Sequence, residues 1–201
     1  MLVNYKKRYM LNQYIKNLGL SLIELMMAVV ILGILTVLAF PQYTLFMQNQ
    51  QIRNTAESIQ NGLQKAKAEA IKRNTWVQFV LGNNGAWTIE CHVVVTIDGD
   101  GDGQEDCPAI IETRLAKDGS SNQVAAVADP ATTTTVIFNS LGLVQTTAPT
   151  ASPITAPFNS VVVENPNASG TRQLEIRLGT GSSIRMCDPD KALADKDPRR
   201  C

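Results

Sequence analysis

Histidine is almost missing: His92 is the only one in 201 residues. Multi-histidine metal centres are therefore excluded, and a histidine-dependent catalytic triad would rest on this one side chain. Cysteine occurs four times, at 91, 107, 187 and 201, without a C-x-x-C pair, which removes the usual structural zinc spacing. Aromatic residues make up only 5% of the chain, and no G-x-x-x-x-G-K-[ST] phosphate loop occurs. Net charge is absent as well, with 18 basic residues against 18 acidic. That balance hides an asymmetry, because residues 1–19 hold Lys6, Lys7, Arg8 and Lys16 and no acid, leaving the remainder net acidic. The length and an apolar content of 44% fit one modest globular domain and exclude a disordered or collagen-like chain.

The longest uncharged run is LMMAVVILGILTVLAF, Leu25 to Phe40, extended upstream by residues 20–23 beyond a lone Glu24. As a helix, residues 20–40 span about 31 Å at roughly 1.5 Å per residue, enough for a hydrocarbon layer of about 30 Å. A secretory signal peptide needs small residues at a cleavage site after its apolar stretch, but Phe40-Pro41-Gln42-Tyr43 follows here. A plain single-span anchor would keep the basic flank cytoplasmic and place the carboxyl-terminal bulk outside. Neither reading accounts for Glu24. An ionised carboxylate in the apolar layer costs a few kcal/mol, so an acid placed there marks a function and calls for a partner.

Gly19-Leu20-Ser21-Leu22-Ile23-Glu24-Leu25 resembles the prepilin signature of type IV pilins and type II secretion pseudopilins, a glycine followed by F-T-L-I-E-L and a long apolar run. The resemblance implies cleavage between Gly19 and Leu20 by a membrane prepilin peptidase, methylation of the new amino terminus at Leu20, and retention of the apolar segment. It also implies filament assembly through Glu24. A carboxylate buried among packed helices is tolerable only beside a counter-charge, which the Leu20 ammonium of a neighbouring subunit can supply.

Pro41 lacks an amide proton and is expected to kink the helix at the membrane boundary. Beyond it, Leu45, Ile52, Ala56, Ile59, Leu63, Ala66 and Ala70 fall on one face of an amphipathic helix reaching about Arg73, with Asn74 as the stop. The period then changes. Trp76 to Leu81, the turn Gly82-Asn83-Asn84-Gly85, and alternating Trp87, Ile89, Cys91, Val93, Val95 and Ile97 read as a hairpin. Val136 to Phe138, Val161 to Val163, and alternating Leu174, Ile176 and Leu178 supply further strands, while TTAPTASPITAP at 146–157 reads as an exposed loop. The expected fold is α+β and pilin-like: one long helix, transmembrane and then amphipathic, packed on antiparallel sheet. Its divisions are a leader at 1–19, a transmembrane helix at 20–41, an amphipathic helix at 42–74 and a β-rich domain at 75–201.

The resemblance narrows within the domain. Ala66 to Asn74 (AKAEAIKRN) resembles the A-R-S-E-A-I-K-R-N helix end of the GspH/FimT subgroup. Val136 to Gly142 (VIFNSLG) is similar to its I-T-F-N-x-x-G block, and Ser183 to Cys187 to its closing strand. Membership of that subgroup implies a low-abundance minor pilin that primes assembly, with the corresponding type II secretion pseudopilin as the alternative. The implied partners are other minor pilins, the major pilin, the prepilin peptidase and the assembly platform of the inner membrane. The implied location is a single pass through the inner membrane with the domain in the periplasm, then the fibre.

In that oxidising compartment two disulfides are expected, and of three connectivities the one joining sequence neighbours, Cys91 to Cys107 and Cys187 to Cys201, is preferred. Asp98, Asp100 and Asp102 with Gly103 match the start of a calcium loop, but position 12 is Ala109 rather than a bidentate Glu, which excludes an EF-hand. A solvated Asp-Gly connection is the preferred reading and a calcium site the alternative; no other cofactor is expected. DNA uptake is a further alternative, with Lys191, Lys196, Arg199 and Arg200 as contacts. Four aspartates interleave with them, however, and phosphate binding wants a concentrated positive field, so nucleic acid is not an expected partner. Without a nucleophile motif near His92, the chain is not expected to be an enzyme.

Overall fold

The computed structural model describes residues 19, 21–92, 107–118, 121–145, 156–190, 192, 194 and 196–201. The chain divides into two compact units, Met1–Gln42 and Tyr43–Cys201, and helix α1, Leu22–Lys72, contributes to both.

In the first unit the apolar run forms helix without interruption, and α1 continues through Pro41. The large apolar side chains from Leu22 to Phe40 lie between 55% and 77% exposed. This is the one described helix long and apolar enough to cross a membrane. Its hydroxyl at Thr36 is satisfied locally, donating to the Gly33 carbonyl at 2.8 Å, as a polar group in an apolar setting requires.

In the second unit α1 ends in a Schellman motif. Asn74 takes φ +49°, its N–H reaches the Ile71 carbonyl (3.2 Å), and the Thr75 N–H reaches the Ala70 carbonyl (3.2 Å). Asparagine tolerates that left-handed conformation better than most residues, which is why the helix stops where the sequence reading placed its end. The chain then enters β1 (Val77–Leu81) and, through a single 3-10 turn at Asn83–Gly85, β2 (Trp87–Cys91). The two strands pair antiparallel with Leu81 opposite Trp87. There follow β3 (Glu112–Arg114), β4 (Ala125–Asp129), β5 (Thr135–Phe138), β6 (Ser160–Glu164), β7 (Leu174–Gly179) and β8 (Ser183–Cys187).

These strands form two four-stranded sheets in the orders β3-β2-β1-β5 and β4-β6-β7-β8, with every named pair antiparallel. The residues expected on the buried face of the helix, Ile52, Ala56, Ile59, Leu63, Ala66 and Ala70, are all buried; Leu45 is half-buried. They share one core with Phe79, Phe138, Phe158, Val161 and Ile176, so both sheets contribute to it. Val93 to Ile97, expected to prolong β2, lie outside the described residues, as does most of the 146–157 loop.

Two details fix the helix against β1 and β2. The indole N–H of Trp87 donates to Ser58 Oγ at 2.9 Å, both buried. Gly62 faces the aromatic pair: a Cβ there would stand 2.8 Å from Phe79 and 2.9 Å from Trp87. Gly62→Ala should therefore destabilise the domain, because overpacking costs about 1–3 kcal/mol against a helix-propensity gain of about 1 kcal/mol. Urea denaturation of the full chain in detergent, followed by tryptophan fluorescence, reads this as a lower midpoint. A raised midpoint would contradict the packing described.

Candidate functional site

The residues singled out by the sequence fall in two places. Gly19 precedes α1, and Glu24 lies in the first turn of that helix, where it gains from the exposed amides of a helix amino terminus. Glu24 is exposed and has no partner among the described residues. Leu20 lies outside them. The arrangement is an apolar, uncovered helix carrying one carboxylate, which is the chemistry of a surface made to pack against apolar surroundings with a single counter-charge.

The four cysteines form the second place. Cys91 is bonded to Cys107 and Cys187 to Cys201, with Cα separations of 5.7 and 5.1 Å. The second bridge folds the chain end back on β8: the Asp188 N–H donates to the Arg199 carbonyl (2.6 Å), and the Cys201 N–H donates to the Asp188 carbonyl (3.0 Å). Arg172 Nη2 meets the buried Asp188 carboxylate at 2.5 Å. Arg177 grips the buried Glu175 with two nitrogens (2.8 and 3.2 Å) and donates to the Cys201 carbonyl (3.2 Å). Glu175 alternates with apolar neighbours in β7 and reads from the sequence as a solvent-facing residue. The disulfide-closed tail is what buries it, a covering that periodicity alone does not reveal.

The charges of this region are mostly satisfied by one another. Arg199 chelates Asp197 (3.0 and 2.7 Å), the backbone of Arg200 forms an isolated β-bridge with that of Asp188, Lys196 is exposed, and Lys191 lies outside the described residues. Of the four residues weighed as DNA contacts, Arg199 is thus engaged by an aspartate. Asp98, Asp100 and Asp102 lie outside the described residues. Glu175, Cys187 and Cys201 cluster closely enough for a metal, but both sulfurs are spent in the disulfide and the carboxylate is held by Arg177, so the set does not fit one. His92 Nδ1 lies 3.3 Å from Gln78 Oε1, and the Gln78 amide donates to Glu90 at 2.7 Å; this chain of contacts offers no nucleophile.

Burial pushes the Glu175 carboxyl up, but hydrogen bonds from Arg177 and Ser160 outweigh it and hold the group below its ordinary 4.5. At Asp188 burial is likewise outweighed, by Arg172 and the Asp190 amide, which hold it below 3.8. The Arg199 hydrogen bond lowers half-buried Asp197 to about 2. Groups with depressed folded values stabilise above their unfolded values and lose that contribution as pH falls through the folded ones. The tail should accordingly be held fully above about pH 4.5 and loosen toward pH 2. Hydrogen exchange of the Asp188 and Cys201 amides across that range checks it; protection independent of pH would contradict the assignment.

Among solved structures, two crystal forms of the Pseudomonas aeruginosa (strain PAO1) type IV minor pilin FimU show partial similarity. The P65 form is 11% identical with a TM-score of 0.45, over 67% of this chain and 90% of that one. The P21 form is 14% identical with a TM-score of 0.46, over 70% of this chain and 91% of that one. No curated protein matches the sequence. A family model described as type II transport protein GspH matches residues 55–192, more than half of the sequence, and the chain therefore belongs to the GspH family.

Proposed function

We propose that the chain is a minor pilin of a type IV pilus, cleaved after Gly19, methylated at Leu20, held in the inner membrane and then drawn into the filament. The observation that carries this reading is the uncovered apolar helix from Leu22 to Phe40 with Glu24 in its first turn. Exposed apolar area on that scale must be covered by lipid or by other helices. The same surface serves both states in turn, lipid before assembly and neighbouring helices after it. Two disulfides support a domain in the periplasm, where such bonds persist. Its work is to prime assembly, through contacts with other minor pilins, the major pilin and the assembly platform.

A second reading is favoured by the description of the matching family: a minor pseudopilin of a type II secretion system. Both share the helix, the cleavage and the counter-charge. A deletion strain separates them. Loss of twitching motility with secretion intact is expected for the pilus subunit; loss of secretion with motility intact would overturn it in favour of the pseudopilin.

A further inference from the structure

The turn that follows β5 is unusually well held. Asn139 Oδ1 accepts from the Leu141 N–H (3.0 Å) and the Leu143 N–H (2.9 Å). The Asn139 N–H donates to the Leu143 carbonyl (3.0 Å), and the Gly142 N–H to the Asn139 carbonyl (2.8 Å). Gly142 takes φ +72°, and a Cβ there would come within 2.8 Å of Ile71 Cδ1 and 3.1 Å of Lys67, so the turn rests directly on the end of α1. Just beyond it, the Val144 N–H donates to Ser182 Oγ (2.6 Å), while Lys67 Nζ donates to the Ser182 carbonyl (3.0 Å).

This rigid turn presents apolar side chains to solvent. Leu141 is 74% exposed, the highest among the large apolar residues described in Tyr43–Cys201, with Leu143 at 42% and Ile71 at 51% beside it. Fixing an apolar side chain on a stiff backbone lowers the entropy cost of docking. The patch is nevertheless small. Three such side chains expose on the order of 300 Å², against about 800 Å² per partner in a standard stable interface. It can contribute only where a partner is already held close by other contacts, at the high effective concentration that a second attachment creates. Subunits packed through their apolar helices meet that condition.

We infer that Ile71, Leu141 and Leu143 dock against an apolar surface on the globular domain of the neighbouring pilin-like subunit in the same filament, an inference that rests on the subunit reading above. The test places a photoreactive phenylalanine analogue at position 141 of the full chain in cells. Irradiation should cross-link it to a protein with its own prepilin-type apolar amino terminus, and the cross-link should vanish in a Glu24→Ala background. Leu141→Asp, exposed and so harmless to the fold, should lower recovery in sheared filaments roughly tenfold at an unchanged membrane level, and Leu141→Met should restore it. If the wild type is in filaments and Leu141→Asp is recovered equally, the docking surface is overturned and the subunit reading stands. A cross-link to a protein of another kind, or a stable Leu141-dependent dimer of the chain in detergent, overturns it too. Absence of the wild type from filaments overturns both.

Discussion

Replacing Glu24 by Ala is expected to leave the chain in the membrane at its normal level and to cut its recovery in sheared filaments by at least about tenfold. Insertion should not suffer, because removing a carboxylate makes the segment more apolar. Assembly should suffer because the packed helix loses its counter-charge. Two unit charges about 4 Å apart attract by about 4 kcal/mol at an effective dielectric of about 20, and about 1.4 kcal/mol already corresponds to tenfold. Glu24→Gln keeps the shape and hydrogen bonding and removes only the charge, so it should fail as well. Recovery of either variant at the wild-type level would contradict the pairing with a neighbouring amino terminus.

The second large effect concerns the tail. Replacing both Cys187 and Cys201 by Ala should cost about 3 kcal/mol of stability, the chain-entropy figure for a closed loop of about 15 residues. The loss does not stop at the loop. Arg177 holds Glu175 and the Cys201 carbonyl together, and the buried Asp188 meets the returning chain through its backbone. Opening the tail therefore uncovers carboxylates that are now sheltered. Urea denaturation without reductant should show the lowered midpoint, and trypsin should cut after Lys196 and Arg199 faster than in the parent protein. A midpoint and cleavage rate equal to the parent's would show that the bridge is not what holds the tail.

The parts of the fold that periodicity controls were legible in the sequence. The stripe from Ile52 to Ala70 is buried as spacing predicts, Asn74 ends α1, and the hairpin turn stands at Gly82–Gly85. Where local propensity is weak, the sequence was silent. β4 is Ala-Ala-Val-Ala-Asp, poor strand formers held in place by pairing with β6, and β3 is three residues long with two charges. The division into two sheets is likewise set by tertiary pairing rather than by any one segment. At the site, both cysteine pairs could be read from residue order. The burial of Glu175 and Asp188 could not, since it depends on a tail returning across β8. Nor could the role of Asn139, whose side chain pins a turn through two amides that lie two and four residues ahead.

A chain that becomes a filament subunit through its apolar helix carries the mark of processing at its amino terminus, which the mass of the amino-terminal peptide reads. Sheared filaments should yield a peptide that begins at Leu20 and carries one added methyl group. A peptide that retains the residues before Gly19, or one that begins beyond Phe40 with the apolar helix removed, would contradict it.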